Sequence, residues 1–170
     1  LGFTGSSQLT PRQLLGGLQQ WRPHSLILVP ELLRVLVAMA DAGAPIPESL
    51  QFIAVGGGKV DPALLARARD HGLPVYAGYG LPACGSVVAS HLPGADRPGS
   101  VGRILPQARA RIDDQGEIHI RGTVMRGYLD QPAGDEWPTG DLGHLDSDGF
   151  LHVHGRRKNL LITTFGRNVN

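Results

Sequence analysis

The chain predicts an α/β fold in two parts: a helix-covered, mostly parallel sheet, then a small antiparallel β subdomain. Three observations carry this reading. Up to about residue 80, short apolar runs alternate with helical stretches, the pattern of a parallel sheet with crossover helices. From about residue 98 the helical signals stop and short strands follow one another. The 24 glycines and 13 prolines fall between the apolar runs, so they read as turns and not as disorder.

Taken in order, Thr10-Pro11 supplies an N-cap and an N1 proline for a helix to about Gln20, since proline costs nothing where no N–H is needed. Ser25 to Val29 reads as a buried strand and Glu31 to Ala42 as an amphipathic helix. Leu50 to Val55 is the next strand, and Asp61-Pro62 opens a helix that runs to His71 and closes at Gly72. Pro74-Val75-Tyr76 starts a third strand. In the second part, strands are expected over Val101 to Leu105, Ala108 to Ile112, Glu117 to Arg121, Leu142 to Leu145 and Phe150 to Val153. Asp113-Asp114-Gln115-Gly116 and Asp146-Ser147-Asp148-Gly149 join some of them as turns, because Asp caps its own backbone and Gly accepts positive φ. The change of texture lies near Pro93 to Pro98, which ends a first unit over 1–95 and opens a second at 96.

The bulk numbers exclude several classes. A formal net charge of +1 gives no electrostatic case for nucleic acid or an anionic membrane. The 14 arginines are spread along the chain and make no basic patch. No apolar run reaches the ~18 residues of a membrane span, and no signal peptide is visible. Cys84 is the one cysteine, so no disulfide forms within the chain and a reducing cytoplasm is expected. The chain starts at Leu1 and stops in mid-pattern at Gly166-Arg167-Asn168-Val169-Asn170, as a piece of a longer protein would.

Several motifs have chemistry in them. Thr139-Gly140-Asp141 and Gly155-Arg156-Arg157-Lys158 set a turn-borne carboxylate and a strand-end guanidinium about fifteen residues apart. A carboxylate accepts two hydroxyl hydrogen bonds, as a ribose diol offers, and an arginine fork complements phosphate. The alternative is an acidic turn beside a solvated basic run. Gly56-Gly57-Gly58-Lys59 follows a strand and precedes a helix, the place where open α/β sheets bind ligands; a tight turn without ligand reads equally well. Its spacing is not that of a Walker loop. Tyr79-Gly80-Leu81 lies just beyond the third strand, where a tyrosine covers an aromatic base or is simply an edge residue. His152 and His154 share one strand face without a third ligand nearby in sequence, so a solvated face is the better reading. Asp146 to Gly149 mimics a calcium loop without its closing Glu, and Cys84 reads as a buried thiol.

In this order the segments resemble the AMP-forming acyl-adenylating superfamily of acyl-CoA synthetases, peptide-synthetase adenylation domains and firefly luciferase. The matching residues are Gly56-Gly57-Gly58, Tyr79-Gly80-Leu81, Gly99-Ser100-Val101-Gly102-Arg103, Gly116-Glu117-Ile118 with Arg121-Gly122 and Gly127-Tyr128, Thr139-Gly140-Asp141, and Gly155-Arg156-Arg157-Lys158 leading to Gly166-Arg167-Asn168. The run 155–170 looks most like acyl-CoA synthetases. The resemblance implies part of the large N-terminal domain of such a ligase, followed by the small β subdomain over 96–154 and, over 155–170, the hinge and the start of the C-terminal domain. It implies that Gly57 and Gly58 line an adenine pocket, that Tyr79, followed by Gly80, stacks on adenine, and that Asp141 holds the ribose hydroxyls. Arg156 would reach ribose and phosphate, and Lys158 matches the hinge. The implied cofactors are ATP or AMP and Mg²⁺, with CoA as co-substrate and a small-molecule carboxylic acid as partner; the glycines and apolar residues around 55–58 and 79–84 fit an apolar acyl group of any length.

Two departures qualify what the resemblance implies. Where the family has Ser or Thr and then Glu after Tyr-Gly-Leu, this chain has Pro82 and Ala83. The hydroxyl that touches the α-phosphate and the carboxylate that holds Mg²⁺ are both missing, so Mg²⁺ binding is expected to be weakened or lost. The family's phosphate loop and its catalytic lysine also lie outside this stretch, so no catalytic residue is assigned and the isolated chain is expected to be inactive. A non-catalytic homologue that binds nucleotide or acyl ligand is the alternative.

Overall fold

The computed structural model describes residues 10–159, together with the strand residues 161–162 and 168–169. It divides into two compact units, 1–77 and 78–170.

The first unit is a parallel sheet with helices between its strands. Helix α1 (Pro11–Trp21) starts in a capping box: the Thr10 side chain accepts from the Gln13 N–H, and the Gln13 side chain accepts from the Thr10 N–H at 3.0 Å. That reciprocal pair satisfies two otherwise orphaned donors. Strand β1 (Ser25–Leu28) runs parallel to β2 (Phe52–Val55) with Ser25 opposite Phe52. The start of β3 (Val75–Leu81) runs parallel to β2 with Ile53 opposite Val75. Helix α2 (Pro30–Asp41) buries Leu33, Leu36 and Val37, the three- and four-residue spacing of one helix face. Its first residue is Pro30, one before the expected start. Helix α3 (Pro62–Asp70) is capped by Asp61, which accepts from the Ala63 N–H at 2.9 Å. Leu28, Ile53, Val55, Val75 and the inward faces of α1 to α3 make the core. The expectation of a buried strand over 25–29 needs correction. Ile27 is 88% exposed, because side chains alternate along a strand and only the face of β1 that carries Leu26 and Leu28 packs on the core.

In the second unit the end of β3 turns back through a 3₁₀ turn, Pro82–Cys84, into β4 (Ser86–Ser90), which pairs antiparallel with it. Tyr79 and Gly80 are therefore strand residues, not residues beyond a strand. Gly80 makes the hairpin possible: a Cβ there would overlap the Ser86 carbonyl and lie 2.8 Å from the Val87 Cα. Strand β5 (Arg103–Ile104) adds to β4. Next come β6 (Arg109–Ile112), β7 (Glu117–Arg121), the small hairpin of β8 (Gly127–Tyr128) and β9 (Gln131–Pro132), β10 (Glu136–Leu145) and β11 (Leu151–Arg156). Four of them form an antiparallel sheet in the order β11-β10-β7-β6. A further short pair joins β12 (Leu161–Ile162) to β13 (Asn168–Val169). Cys84, Val88, Ala89, Ile118, Ile120 and Leu151 form this unit's core. The fold class is the one expected: α/β with a mostly parallel sheet, then antiparallel β structure. No helix among the described residues is long and apolar enough to cross a membrane.

Candidate functional site

The site grows out of an irregularity in β10. Opposite β7 its register shifts between Pro138 and Leu142, and Gly140 sits at φ +73°, a conformation glycine adopts without steric cost. Thr139 locks the bulge. Its hydroxyl donates to the Ile118 carbonyl at 2.8 Å and accepts the Asp141 N–H at 3.0 Å. Glu117, from β7, accepts the Gly140 N–H at 2.9 Å. Thr139-Gly140-Asp141 is thus a bulge inside a strand and not a turn. Bulges re-aim side chains, and this one carries Asp141, which is 5% exposed.

Two donors converge on that carboxylate. The Tyr79 hydroxyl, from β3, donates to Oδ2 at 2.6 Å. The Arg156 Nε, directly opposite Asp141 in the β10–β11 register, lies 2.8 Å from Oδ1. Burial, and then the hydrogen bond to Asp141, push the Tyr79 phenol well above the usual tyrosine range. Tyr79 therefore stays a neutral donor at physiological pH. Most of the Arg156 side chain is exposed, so its guanidinium has donors left for another anion. Asp141 also has capacity left: two carboxylate oxygens offer about four lone-pair sites, and two are used.

The structure brings Tyr79, Asp141 and Arg156 together from positions 62 and 15 residues apart in the chain. Glu117, which sequence reasoning noticed only as part of a motif, is a further member. Its Oε2 accepts from Arg157 Nη1 at 2.6 Å while Oε1 holds Gly140. On β7 Glu117 shares its face with His119 and Arg121 while Ile118 and Ile120 point the other way, so the alternation alone carried no sign that its carboxylate is buried. Arg157 and Lys158 lie in a 3₁₀ turn, Arg157–Asn159, directly after β11; Gly166 and Arg167 lie outside the described residues.

Gly57 and Gly58 belong to the first unit, after β2. Gly57 needs its positive φ of +79°, whereas a Cβ on Gly58 would meet Pro30 only at 3.6 Å. Ala83 is buried and its carbonyl accepts the Met125 N–H at 2.8 Å. Neither Pro82 nor Ala83 carries a side-chain oxygen, so these two positions do not fit a magnesium ion. Asp113, Glu117 and His119 bring ligand atoms within 4.8 Å of one another. Those atoms are already engaged: His119 lies 3.0 Å from Asp113, and Glu117 holds Gly140 and Arg157. Asp146-Ser147-Asp148-Gly149 is the turn between β10 and β11, with Asp146 Oδ1 accepting the Asp148 and Phe150 N–H groups. Cys84 is fully buried, and burial pushes its thiol pKa up, which leaves it a poor nucleophile.

Residues 2–129 match the model of the family described as AMP-binding enzyme. The 2-succinylbenzoate–CoA ligase of Bacillus subtilis is 30% identical over 165 residues, 86% of this chain and 34% of that protein. A long-chain-fatty-acid–CoA ligase of Mycobacterium tuberculosis is 39% identical over 109 residues, 59% of this chain and 18% of its own length. Among solved structures, the Bacillus subtilis O-succinylbenzoate coenzyme A synthetase in complex with ATP and magnesium superposes with a TM-score of 0.83 at 28% identity, covering 95% of this chain and 37% of that one. The chain spans about a third of the length of the first of these relatives.

Proposed function

The chain belongs to the AMP-binding enzyme family, and on that premise we propose that it is the central part of an AMP-forming acyl-CoA ligase. The whole protein would join an apolar small-molecule carboxylic acid to AMP and pass the acyl group to the thiol of CoA. A carboxylate oxygen bonds to the α-phosphorus of ATP as the bond to pyrophosphate breaks. The thiolate sulfur then bonds to the acyl carbon as the bond to AMP breaks, and the thiol proton leaves to solvent. Residues 155–159 would be the hinge toward a C-terminal domain, with Lys158 in it. A reducing, cytoplasmic setting suits a chain whose one cysteine is buried.

The observation that carries this reading is the carboxylate of Asp141 held between Tyr79 and Arg156. A ribose diol presents two O–H donors, and a fixed carboxylate with one free lone pair on each oxygen accepts both. Arg156, its Nε spent on Asp141, would turn its remaining N–H groups to the phosphate. Tyr79 keeps its proton and orients Asp141; in stacking on adenine it would use its ring face. Gly57 and Gly58 would let the purine approach backbone, and Gly80 serves the hairpin that carries Tyr79. Positioning of this kind is most of what acyl transfer to a nucleotide asks of a protein.

Pro82 and Ala83 favour a second reading, a homologue that binds nucleotide without turnover. ATP–pyrophosphate exchange on the full-length protein, with a panel of short to long carboxylic acids, separates the two. The Pro82→Ser/Ala83→Glu double variant runs alongside. Exchange in the natural protein supports the ligase. Exchange in the double variant alone supports the binding homologue. Absence of both exchange and AMP binding in either protein overturns both readings.

A further inference from the structure

The ribbon of β10 and β11 gathers three histidines that the Asp141 site does not use. His144 stands directly opposite His152 in the register. Between Leu142–Gly155 and Gly143–Val153 the register slips, and the extra residue on β11 is His154. Gly143 permits the slip, since a Cβ there would overlap the His152 carbonyl. The bulge turns His154 toward the diagonal neighbour on β10. His144 Nδ1 and His154 Nε2 end 2.9 Å apart, and both side chains are exposed. The sequence showed only His152 and His154; the third ring comes from the neighbouring strand.

We propose that His144 and His154 form a two-nitrogen chelating site for a divalent late first-row cation of tetragonal preference, Cu²⁺ or Ni²⁺, with His152 as a positioning residue. The donor set carries the choice of ion: imidazole nitrogens suit Cu²⁺ and Ni²⁺, and Cu²⁺ heads the divalent affinity order at a nitrogen site. The facing nitrogens lie 2.9 Å apart and the two rings stack with planes 24° apart, so small ring rotations turn both lone pairs onto one ion. Without metal the two nitrogens share one proton in an N–H···N bond. On binding, that proton moves to the other nitrogen of its own ring, so both facing nitrogens present lone pairs.

His152 is built to hold the pair in place. Its ring lies 4.6 Å from that of His144 with planes 6° apart, and its Nε2 lies 3.3 Å from Asp146 Oδ2. Asp146 is in turn tied to Arg97 at 3.0 Å. A bound cation would clip β10 to β11 across the slip. The site is independent of the ligase reading, because it shares no ligand atom with Asp141 or Arg156.

The test is Cu²⁺ titration of the untagged full-length protein followed by electron paramagnetic resonance, with Ni²⁺ calorimetry in parallel. One equivalent of Cu²⁺ should show splitting from two nitrogens. His144→Ala and His154→Ala should each weaken binding by at least about tenfold and abolish that splitting, with circular dichroism unchanged. His152→Phe, which keeps a flat ring against His144, should retain both stoichiometry and spectrum. Binding unchanged in either alanine variant overturns the chelate. Loss of the site in His152→Phe makes His152 a ligand and overturns the two-histidine assignment.

Discussion

Replacing Glu117 tests how the Asp141 bulge is held. The carboxylate is 4% exposed and has two duties: Oε1 accepts the Gly140 N–H at 2.9 Å and Oε2 accepts from Arg157 at 2.6 Å. Glu117→Gln can keep the first duty through its amide oxygen, while its NH₂ then faces the Arg157 guanidinium, donor against donor. A charge-assisted hydrogen bond contributes about 1.5–3 kcal/mol, but Arg157 is 53% exposed, and screening brings this down to about 1 kcal/mol. Glu117→Ala removes both duties. It leaves the Gly140 N–H unpaired, at about 1–3 kcal/mol, and opens space in a packed strand. The expected losses are thus about 1 kcal/mol for glutamine and about 3 kcal/mol for alanine. Urea unfolding of the full-length protein, read by tryptophan fluorescence, measures both. AMP affinity by calorimetry should follow the same order, because Asp141 is presented by the residue Glu117 pins. Equal losses in the two variants, or an alanine variant that binds AMP as tightly as the parent, would refute the argument.

Tyr79→Phe removes the donor to Asp141 Oδ2 and should weaken AMP binding while lowering stability by about 1–3 kcal/mol. The Tyr79 phenol of the parent should also stay unionised at pH 11, so the 295 nm difference between parent and variant there should be small; a full tyrosinate signal from Tyr79 would contradict the buried pairing. Gly80→Ala should abolish the soluble folded protein, since the added methyl meets backbone of β4, whereas Gly58→Ala, with 3.6 Å to Pro30, should fold like the parent; comparable yields of the two would be the wrong result. Glu136 gives a pH test: the hydrogen bond from Arg111, then the charges of Arg111 and Arg121, depress its pKa to about 2. A depressed carboxyl contributes stability that is present above its unfolded pKa and lost as pH falls from about 4.3 toward 2. The melting-temperature gap between parent and Glu136→Gln should therefore be flat above pH 5 and close below pH 4; a gap that widens on acidification contradicts the assignment.

What the chain discloses about itself depends on the range of the cause. Helices α1 and α3 announce their starts, because Thr10-Pro11 and Asp61-Pro62 are local capping chemistry. Helix α2 begins one residue early at Pro30, behind Val29, which offers no side-chain cap. Strand β4 is not announced by its sequence: Ser86-Val87-Val88-Ala89-Ser90 is short and flanked by Gly85 and by Pro93-Gly94. Its antiparallel pairing is what accompanies β3 on through Tyr79. The order of Asp141 and Arg156 was legible, since the two sit on successive strands around one turn. Their partners were not. Tyr79 and Glu117 reach Asp141 and Gly140 across pairings that exist only once the sheet register is set. His144 met His154 by a one-residue slip that no periodicity announces.

The distance along the chain between Tyr79 and Asp141 has one more consequence. A contact that closes a loop of 62 residues has to overcome a chain entropy that grows as the logarithm of loop length, so it exists only in molecules whose second unit is already assembled. Asp141 without Tyr79 and Arg156 beside it is an ordinary solvated carboxylate. Whatever ligand the triad accepts will therefore bind the native ensemble and ignore the denatured one. At a hundredfold excess over its dissociation constant such a ligand adds about 2.7 kcal/mol to the folding equilibrium. If that ligand is the proposed nucleotide, its concentration and the survival of the fold become coupled quantities.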